Sequence, residues 1–315
     1  MQRDFVIERT WSIAGLRDPR ELQPGHTTSR LMAEAQLAQA LPLLREHGFV
    51  VLRGGLSRAR RASEEITLPW LTKRQLRAAH SAAESAFDQL RADYDARLSS
   101  GSASSLPLPP WEYHRVGRSK QRFRFREGYS YTGGRLSMPL LSDKPPFNRP
   151  LFESASHLKW LCDHYYHNES CTRTTQGALW NFPGANSTFW HRDYPNDWKL
   201  LTVVTAARDY PLDAGWLKIQ RGTQLGGRHH LETLQKGPPQ PGQPEPEQIV
   251  LEQGDSLVFT ATSKHAATPN PSPVSRCLLF AVYTVGSRQD SVNQPSTVPW
   301  LSANGPAPSA GRVRA

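Results

Sequence analysis

Residues 189–194 read Phe-Trp-His-Arg-Asp-Tyr, which places His191 and Asp193 two positions apart. On an extended strand, side chains two positions apart point to the same side, so an imidazole and a carboxylate can bind one ion. A second histidine from elsewhere in the chain would complete a 2-His-1-carboxylate set, which leaves coordination positions of Fe(II) open. Because the chain has 11 histidines, a His-x-Asp triplet can arise by chance and needs support from the rest of the sequence.

The region downstream gives that support. Residues 249–260 contain two short apolar segments around a turn, and we interpret them as a β-hairpin. His265 follows this hairpin and is the candidate for the third ligand. Arg276 begins the apolar run 277–283, and a guanidinium at a strand start beside a metal site is suited to bind a carboxylate through two parallel hydrogen bonds.

This pattern resembles the phytanoyl-CoA dioxygenase family of Fe(II)/2-oxoglutarate oxygenases, over about residues 44–283. Besides the His-x-Asp triplet, the resemblance rests on a helix–Gly–Phe–strand entry around Gly48 and on residues 213–219, which are similar to a strand of the family. The sequence departs from the family at residues 221–224, which read Arg-Gly-Thr-Gln where Pro-Gly-Ser-His is usual. It also has Ala267 where the family often has a small polar residue.

The resemblance implies roles for several residues. The iron ligands that it implies are His191, Asp193 and His265. It also implies that Arg276 binds the distal carboxylate of 2-oxoglutarate and that O2 is the other reactant. By analogy with relatives, Gln176 or Thr175 is expected to hydrogen-bond this cosubstrate. The aromatic residues expected to shape the pocket are Trp180, Trp190 and Tyr194.

The fold that the resemblance implies is mainly β with flanking helices, a double-stranded β-helix (jelly roll) of the cupin-like kind. Short strands separated by turns between about residues 174 and 285 are compatible with it. Helical spacing of apolar residues predicts an amphipathic helix over about 72–98, and a second helix over 29–47 is expected to end at Gly48. We expect one oxygenase domain over residues 1–287, with helical support at about 29–98, the jelly roll at about 110–287 and a flexible tail at 288–315.

Each candidate residue also has a purely structural explanation. His191 would be a hydrogen-bonded strand histidine, Asp193 a turn former, His265 a loop histidine and Arg276 a surface salt-bridge partner. The agreement of separately placed features favours the metal site over these alternatives.

A second cluster of metal-ligating residue types consists of Cys162, His164, His167 and Cys171. Its interleaved order differs from the paired cysteines and paired histidines of structural zinc sites. The surrounding apolar spacing favours an amphipathic helix with both histidines on its outer side, and whether the cluster binds anything is left open.

The net charge of +10 permits anionic partners. Arg122 and Arg124 belong to a run in which arginine and phenylalanine alternate, so on a strand their guanidinium groups would share one face. This face is either solvated surface or a wall that binds an anionic substrate, which makes both arginines candidate substrate residues. No recognised nucleic-acid-binding motif accompanies the charge, so we expect a small-molecule substrate and no nucleic-acid partner.

Three cysteines in 315 residues argue against a disulfide framework and fit a reducing compartment. The first thirty residues contain no apolar leader segment, and no apolar run approaches the length of a membrane span. The last residues do not match a peroxisomal signal. We therefore expect a cytoplasmic protein without membrane contact, as a monomer or dimer.

The expected activity is that of a 2-oxoglutarate-dependent non-haem iron dioxygenase. It would hydroxylate or otherwise oxidise a small organic metabolite, of anionic or acyl character, with release of succinate and CO2. Two other classes stay open: a catalytically silent member that acts as a binding or scaffold protein, and a basic module that binds a polyanion. The first would fold without binding iron or 2-oxoglutarate, and the second would bind with steep salt dependence.

Overall fold

The computed structural model describes residues 27–54, 72–99, 122–124, 130–132, 134–139, 156–188, 190–193, 199–225 and 244–286. Its helices are α1 (Thr27–His47), α2 (Lys73–Ser99) and α3 (Ser156–Tyr165), with a short 3-10 helix at Thr223–Leu225. The strands are β1 (Phe49–Leu52), β2 (Arg122–Arg124), β3 (Ser130–Thr132), β4 (Arg135–Pro139), β5 (Cys171–Asn181), β6 (Leu200–Ala206), β7 (Leu217–Ile219), β8 (Glu247–Ile249), β9 (Ser256–Thr260), β10 (His265–Ala267) and β11 (Arg276–Val285).

The strands form two antiparallel sheets. The large sheet has the order β1-β9-β6-β11-β5-β4-β3-β2, and the small sheet has the order β10-β7-β8. The segment around His191 joins the small sheet through an antiparallel bridge between His191 and His265. The small sheet therefore has a fourth strand position next to β10, which the segment at His191 occupies.

From β5 onward the chain passes back and forth between the two sheets, except that β7 and β8 follow each other in the small one. β5, β6, β9 and β11 lie in the large sheet, while the segment at His191, β7, β8 and β10 lie in the small one. The first and last of these strands, β5 and β11, are hydrogen-bonded neighbours, and β6 and β9 continue the same sheet. Eight antiparallel strand positions in two facing sheets are the architecture of a jelly roll. The fold class predicted from the sequence is confirmed.

Two hydrophobic clusters divide the interior. One lies between the large sheet and the helices, and it includes Leu44 of α1, Leu76 of α2, Leu161 of α3 and Leu279 of β11. The other lies between the two sheets, and it includes Trp216, Ile219 of β7, Phe259 of β9 and Phe280 of β11. Because side chains alternate along a strand, even-numbered residues of β11 face the second cluster up to Val282, whereas odd-numbered residues face the helices.

The two predicted helices at the start of the chain are present. α2 places Leu76, Ala79, Ala83 and Leu90 in the helix-facing core, as the apolar spacing predicted. α1 is followed by Gly48, whose φ of 82° is in the left-handed region that favours glycine. The Gly48 N–H closes the last turn with the Leu44 carbonyl at 2.9 Å.

The hairpin predicted over residues 249–260 is wrong. β8 pairs with β7 in the small sheet, whereas β9 pairs with β1 and β6 in the large sheet. The turn between them crosses from one sheet to the other. The Asp255 carboxylate holds this turn, since it accepts the Glu252 N–H at 3.0 Å and the Gly54 N–H at 2.9 Å. Turn-forming residues identified the turn, but they did not show which strands it joins.

None of the helices in the described ranges has the length and apolar character that a bilayer crossing requires. The single domain over residues 1–287 remains a prediction, and the tail at 288–315 lies outside the described residues.

Candidate metal centre

The segment that carries His191 and Asp193 runs along the edge of β10. The His191 N–H donates to the His265 carbonyl at 3.0 Å, and the His265 N–H donates back to the His191 carbonyl at 2.9 Å. The Asp193 N–H continues the pairing with the Ala261 carbonyl at 2.9 Å. The extended geometry expected of the His-x-Asp triplet is therefore present, and His265 lies directly opposite it on β10 rather than in a loop.

Three potential ligand atoms converge at this point. The Asp193 Oδ1 atom lies 3.6 Å from His191 Nε2 and 3.5 Å from His265 Nε2. The three ligand atoms all lie within 4.8 Å of one another. Within the described residues, this is the one set of three or more histidine, cysteine and acidic side chains with metal-binding spacing.

The three candidate ligands differ in exposure. The side chains of His191 and Asp193 are 25% and 29% exposed, whereas the side chain of His265 is 7% exposed. The His265 ring packs against Phe259, which belongs to the core between the sheets, with 5.0 Å between ring centroids. An ion bound here would be reached past His191 and Asp193, and His265 forms the inner wall.

The protonation states suit metal binding. His265 Nδ1 lies 2.9 Å from the Ser263 carbonyl, which places its proton on Nδ1 and leaves the Nε2 lone pair facing Asp193. Burial lowers the pKa of His265, which favours the neutral imidazole that a metal requires. Burial raises the pKa of Asp193, but the adjacent imidazoles of His265 and His191 outweigh this effect and the pKa is lowered. Asp193 is therefore a carboxylate near neutral pH.

The donor set fits a divalent transition metal. Two ligand atoms about 2.1 Å from one ion stand about 3 Å apart when their bonds are at right angles. The observed separations of 3.5 and 3.6 Å lie near the roughly 3.4 Å that the same bonds give at tetrahedral angles, and they are too long for good hydrogen bonds. Two imidazoles and one carboxylate on one side of an ion form the facial set typical of non-haem Fe(II) sites with open positions.

Arg276 is a buried cation on the inner face of the large sheet. It is 1% exposed, and its guanidinium lies over the Trp216 ring, with 5.1 Å between Cζ and the ring centroid. Its Nε and Nη1 atoms are buried and have no hydrogen-bond partner among the described residues. Burial, followed by the neighbouring Arg135, lowers the pKa of Arg276 to about 9, so the side chain still carries its charge near neutral pH. Unpaired buried charge is unfavourable, and an anionic ligand would relieve it.

A second buried arginine stands in the same row of the sheet. Asn181 of β5 is opposite Arg135 on one side and opposite Arg276 on the other. The Arg135 side chain is 8% exposed and donates from Nη2 to the Thr268 carbonyl at 2.8 Å. Asn181 donates to the Gly215 carbonyl at 2.9 Å. Two cations in one buried row make this end of the barrel electropositive.

The two candidates proposed for cosubstrate hydrogen bonds lie on opposite faces of β5. Thr175 is opposite Val282, which belongs to the core between the sheets, so Thr175 faces the same interior as Arg276. Gln176 is opposite Ala281, which belongs to the helix-facing core. The structure therefore corrects the expectation for Gln176, because period-2 alternation turns it away from the interior. A cosubstrate role for Thr175 remains a prediction.

Trp180 also faces the helices. Its ring lies 5.0 Å from Phe87 of α2 and 6.3 Å from Phe182, measured between centroids. The expectation that Trp180 shapes the pocket is corrected for the same reason as for Gln176: it is an even-numbered residue of β5, and even-numbered residues from Gln176 onward face α2. Trp190 is half-buried directly before His191, and its pocket role remains a prediction.

Three predicted site residues cannot be placed by their side chains. Tyr194 lies outside the described residues. Arg122 and Arg124 are in β2, which pairs with β3 at the edge of the large sheet, so the predicted strand is present. Their side chains lie outside the described part of the structure, and the arginine face remains a prediction.

The cysteine–histidine cluster at residues 162–171 does not form a metal site among the described residues. Cys162 and Cys171 are buried thiols, and burial raises the pKa of each. The His164 ring stacks on Trp160 at 3.7 Å between centroids, and its Nδ1 atom lies 2.8 Å from the Trp160 carbonyl. The His164 side chain therefore makes its contacts within α3, and the thiols of Cys162 and Cys171 belong to the hydrophobic core.

The sequence did not indicate the residues that support the site. Trp216 lies under Arg276, and Ser263 fixes the orientation of the His265 ring. Tyr210 reaches the backbone of β11 next to Arg276. Trp216 lies in the strand that resembles the family, and Ser263 lies just before β10, so both are near candidate residues in the sequence. Nothing in the local sequence marks Tyr210.

The jelly roll with these features is similar to solved structures. AviO1 from Streptomyces viridochromogenes Tue57 is 16% identical, with 79% of this chain and 95% of that chain covered and a TM-score of 0.49. The non-heme alpha-ketoglutarate-dependent epimerase SnoN from nogalamycin biosynthesis is 15% identical, with 88% and 94% covered and a TM-score of 0.49. The carbocyclase SnoK from the same biosynthesis, also non-heme and alpha-ketoglutarate-dependent, is 17% identical, with 78% and 83% covered and a TM-score of 0.46.

No protein-family model matches the chain, and no curated protein sequence does. Structural likeness at such low identity does not identify a reaction. The function has to be inferred from the residues of the site itself.

Proposed function

We propose that the protein is an Fe(II)- and 2-oxoglutarate-dependent dioxygenase. It would hydroxylate or otherwise oxidise a small organic metabolite, of anionic or acyl character, and release succinate and CO2. In this proposal His191, Asp193 and His265 bind Fe(II), and Arg276 binds the distal carboxylate of 2-oxoglutarate.

One combination of features carries the proposal: a His-Asp-His set and, in the same jelly roll, a buried arginine whose Nε and Nη1 atoms have no hydrogen-bond partner among the described residues. Arg276 lies over Trp216, His265 packs against Phe259, and both aromatic rings belong to the core between the sheets. A metal set alone would suit many ligands. An added buried cation selects a ligand that has an anionic group at the end distant from the metal.

The protein's own residues supply position and electrostatics. The Ser263 carbonyl holds the His265 ring with its Nε2 lone pair toward the metal position. Arg276 orients the cosubstrate by charge-assisted hydrogen bonds, and the Trp216 ring shields that pair from water. When bound, Fe(II) supplies the oxidative chemistry that consumes O2 and 2-oxoglutarate and transfers oxidising equivalents to the substrate.

The proposal is tested by succinate release across a panel of small metabolites, with iron supplied and with iron removed by a chelator. We expect iron-dependent succinate release that at least one panel member increases. The matched variants are Arg276→Ala and Arg91→Ala, the latter an exposed arginine on α2. A folded wild-type protein that binds neither Fe(II) nor 2-oxoglutarate would contradict the proposal and favour the silent binding or scaffold protein.

A further inference from the structure

The start of β11 depends on a side chain from outside the sheet. β11 pairs with β5 from Arg276 onward, but its pairing with β6 begins only at Leu278. Cys277 therefore lies one residue beyond the end of β6 on that edge. Its N–H donates to the Tyr210 hydroxyl at 3.1 Å, and its carbonyl accepts from the same hydroxyl at 2.8 Å. One phenol thus replaces a missing strand partner at the residue next to Arg276.

Tyr210 contacts the support of Arg276 from a second direction. Its ring meets the Trp216 ring edge to face, with 6.3 Å between centroids and 72° between planes. Trp216 lies directly under the Arg276 guanidinium, and its indole N–H donates to the Pro211 carbonyl at 2.9 Å. The connection between β6 and β7, residues 207–216, therefore holds both the backbone beside Arg276 and the ring beneath it.

The Tyr210 hydroxyl is itself held by α2. A hydroxyl has one proton and two acceptor lone pairs, and Cys277 uses the proton and one lone pair. The remaining lone pair faces His80 Nε2 at 3.2 Å, so His80 carries a proton on that nitrogen. His80 Nδ1 lies 3.2 Å from the carboxylate of Glu84, whose side chain is 47% exposed, and because a neutral imidazole with its proton on Nε2 has no Nδ1–H, this nitrogen donates to Glu84 only when His80 is protonated. A buried chain thus runs from the helix surface to the backbone beside Arg276.

We propose that Tyr210, held by His80 of α2, is a positioning residue that fixes Arg276 for recognition of an anionic cosubstrate. The inference rests on the proposed function, since it concerns the same cosubstrate end of the site. The Nε and Nη1 atoms of Arg276 have no hydrogen-bond partner among the described residues, so the position of the guanidinium depends on the backbone and on the Trp216 ring. Loss of the hydroxyl would free both to move and weaken bidentate binding.

The variant that tests this inference is Tyr210→Phe, which keeps the ring and removes only the hydroxyl. The matched control is Tyr283→Phe at a buried tyrosine of β11, seven residues from Arg276 and therefore about 23 Å from it at about 3.3 Å per residue. The dissociation constants of 2-oxoglutarate and Mn(II), a redox-inactive stand-in for Fe(II), are measured by calorimetry. Hydrogen exchange of the Cys277 amide is measured on the metal-free protein.

We expect the 2-oxoglutarate dissociation constant to rise by about fivefold in Tyr210→Phe, with Mn(II) affinity within about twofold of wild type, because two backbone hydrogen bonds are lost. The Cys277 amide should exchange faster in the metal-free variant. Tyr283→Phe should change neither quantity. His80→Leu, which removes the donor to Tyr210, should weaken 2-oxoglutarate binding in the same direction.

Equal 2-oxoglutarate affinity in Tyr210→Phe and Tyr283→Phe would overturn the positioning role while leaving the proposed function intact. A parallel loss of Mn(II) affinity would also overturn it, because the effect would then be a general loss of structure. Failure of the wild-type protein to bind 2-oxoglutarate would overturn the proposed function, and the inference with it.

Discussion

At the scale of single residues, Arg276 shows how a binding group can oppose stability. It is a cation at 1% exposure whose Nε and Nη1 atoms lack partners among the described residues. Replacement by methionine should therefore raise the free energy of unfolding of the ligand-free protein by about 1–4 kcal/mol, as for other buried charges replaced by apolar side chains. The same change should weaken 2-oxoglutarate binding at least about tenfold, because removal of one partner of a buried charge pair costs on the order of 2–5 kcal/mol. Urea unfolding and calorimetry measure the two effects.

The control for this prediction is Arg91→Met on the exposed side of α2, which should change neither quantity. A ligand-free Arg276→Met protein that is less stable than wild type would show that the guanidinium already has a favourable environment. In that case the buried charge would be a structural element and would not indicate an anionic ligand.

Asp193 is the residue on which both histidines of the candidate metal centre converge. It contributes the one negative charge of the set, and its oxygen is within 3.6 Å of each imidazole nitrogen. Asp193→Ala should lower Fe(II) affinity by about 100-fold or more, since a ligand and its charge are both lost. Succinate release should fall to the level without iron. Metal content after gel filtration and chelator competition measure the affinity, and Asp213→Ala, at an exposed turn, is the control. Retention of wild-type affinity in Asp193→Ala would disprove the ligand assignment.

At the scale of elements, the junction between α1 and β1 depends on Gly48. A Cβ there would lie 2.5 Å from both Gln224 Oε1 and Ser263 Oγ, and φ is +82°. Gln224 donates to the Arg45 carbonyl, and Ser263 donates to the Gly48 carbonyl, so neither side chain can move without losing a hydrogen bond. Gly48→Ala should cost about 3 kcal/mol of folding free energy, from backbone strain and overpacking together.

Gly222 separates these two contributions. Its φ is +70°, but a Cβ there would meet nothing within 4 Å. Gly222→Ala should therefore show the backbone strain alone, about 1–2 kcal/mol. Equal losses of stability in the two variants, measured by urea unfolding, would mean that the neighbours of Gly48 adapt to a methyl group without cost.

β2 allows a test of substrate class. If Arg122 and Arg124 form an anion-binding wall, the double change to alanine should reduce substrate-coupled turnover while succinate release without substrate persists. The readout is the ratio of oxidised product to succinate for the best substrate of the metabolite panel. Lys73→Ala/Arg74→Ala on exposed α2 is a control of equal charge change. If the ratio of oxidised product to succinate is unchanged, Arg122 and Arg124 belong to the solvated surface.

Elements with a strong repeating pattern could be predicted from the sequence. α2 has apolar residues at helical spacing over about six turns, and β11 is an almost uninterrupted apolar run, as expected for a strand buried on both faces. Pairing partners could not be predicted in the same way. β8 and β9 are separated by a turn that looks like a hairpin turn, and only the packing of the two sheets determines that the two strands join different sheets.

At the scale of the whole molecule, the candidate site could likewise be predicted only where its residues form a local pattern in the sequence. His191 and Asp193 are two residues apart, so their convergence follows from strand geometry. Gln176 and Thr175 could not be told apart from the sequence, because a register shift directly before Thr175 breaks the alternation between residues 171–173 and the rest of β5. Tyr210 is 67 residues from Cys277, and its contact arises only when the connection at 207–216 folds over the end of β11. Contacts of that separation depend on tertiary structure and leave no local pattern.

The dependence of global stability on pH should carry a contribution from His80. Burial lowers the pKa of His80 from 6.5, with Arg208 acting in the same direction and Glu84 against it. The unfolded chain therefore takes up this proton more readily than the folded protein, so the contribution to stability is complete above about pH 6.5 and is lost as pH falls below it. The loss is at most about 1.4 kcal/mol per pH unit for one proton.

Replacement by glutamine removes the titrating group and keeps an N–H donor for the Tyr210 hydroxyl. The free energy of unfolding of metal-free wild-type protein should fall more steeply between pH 7.5 and pH 5, a range of about one and a half units on the acid side of 6.5, than that of His80→Gln. The control variant is His167→Gln, at an exposed histidine after α3. Equal slopes in wild type and His80→Gln would show that His80 titrates alike in the folded and unfolded states. The buried chain from α2 to β11 would then carry no charge-dependent part of the stability, and its effect on Arg276 would have to come from hydrogen-bond geometry alone.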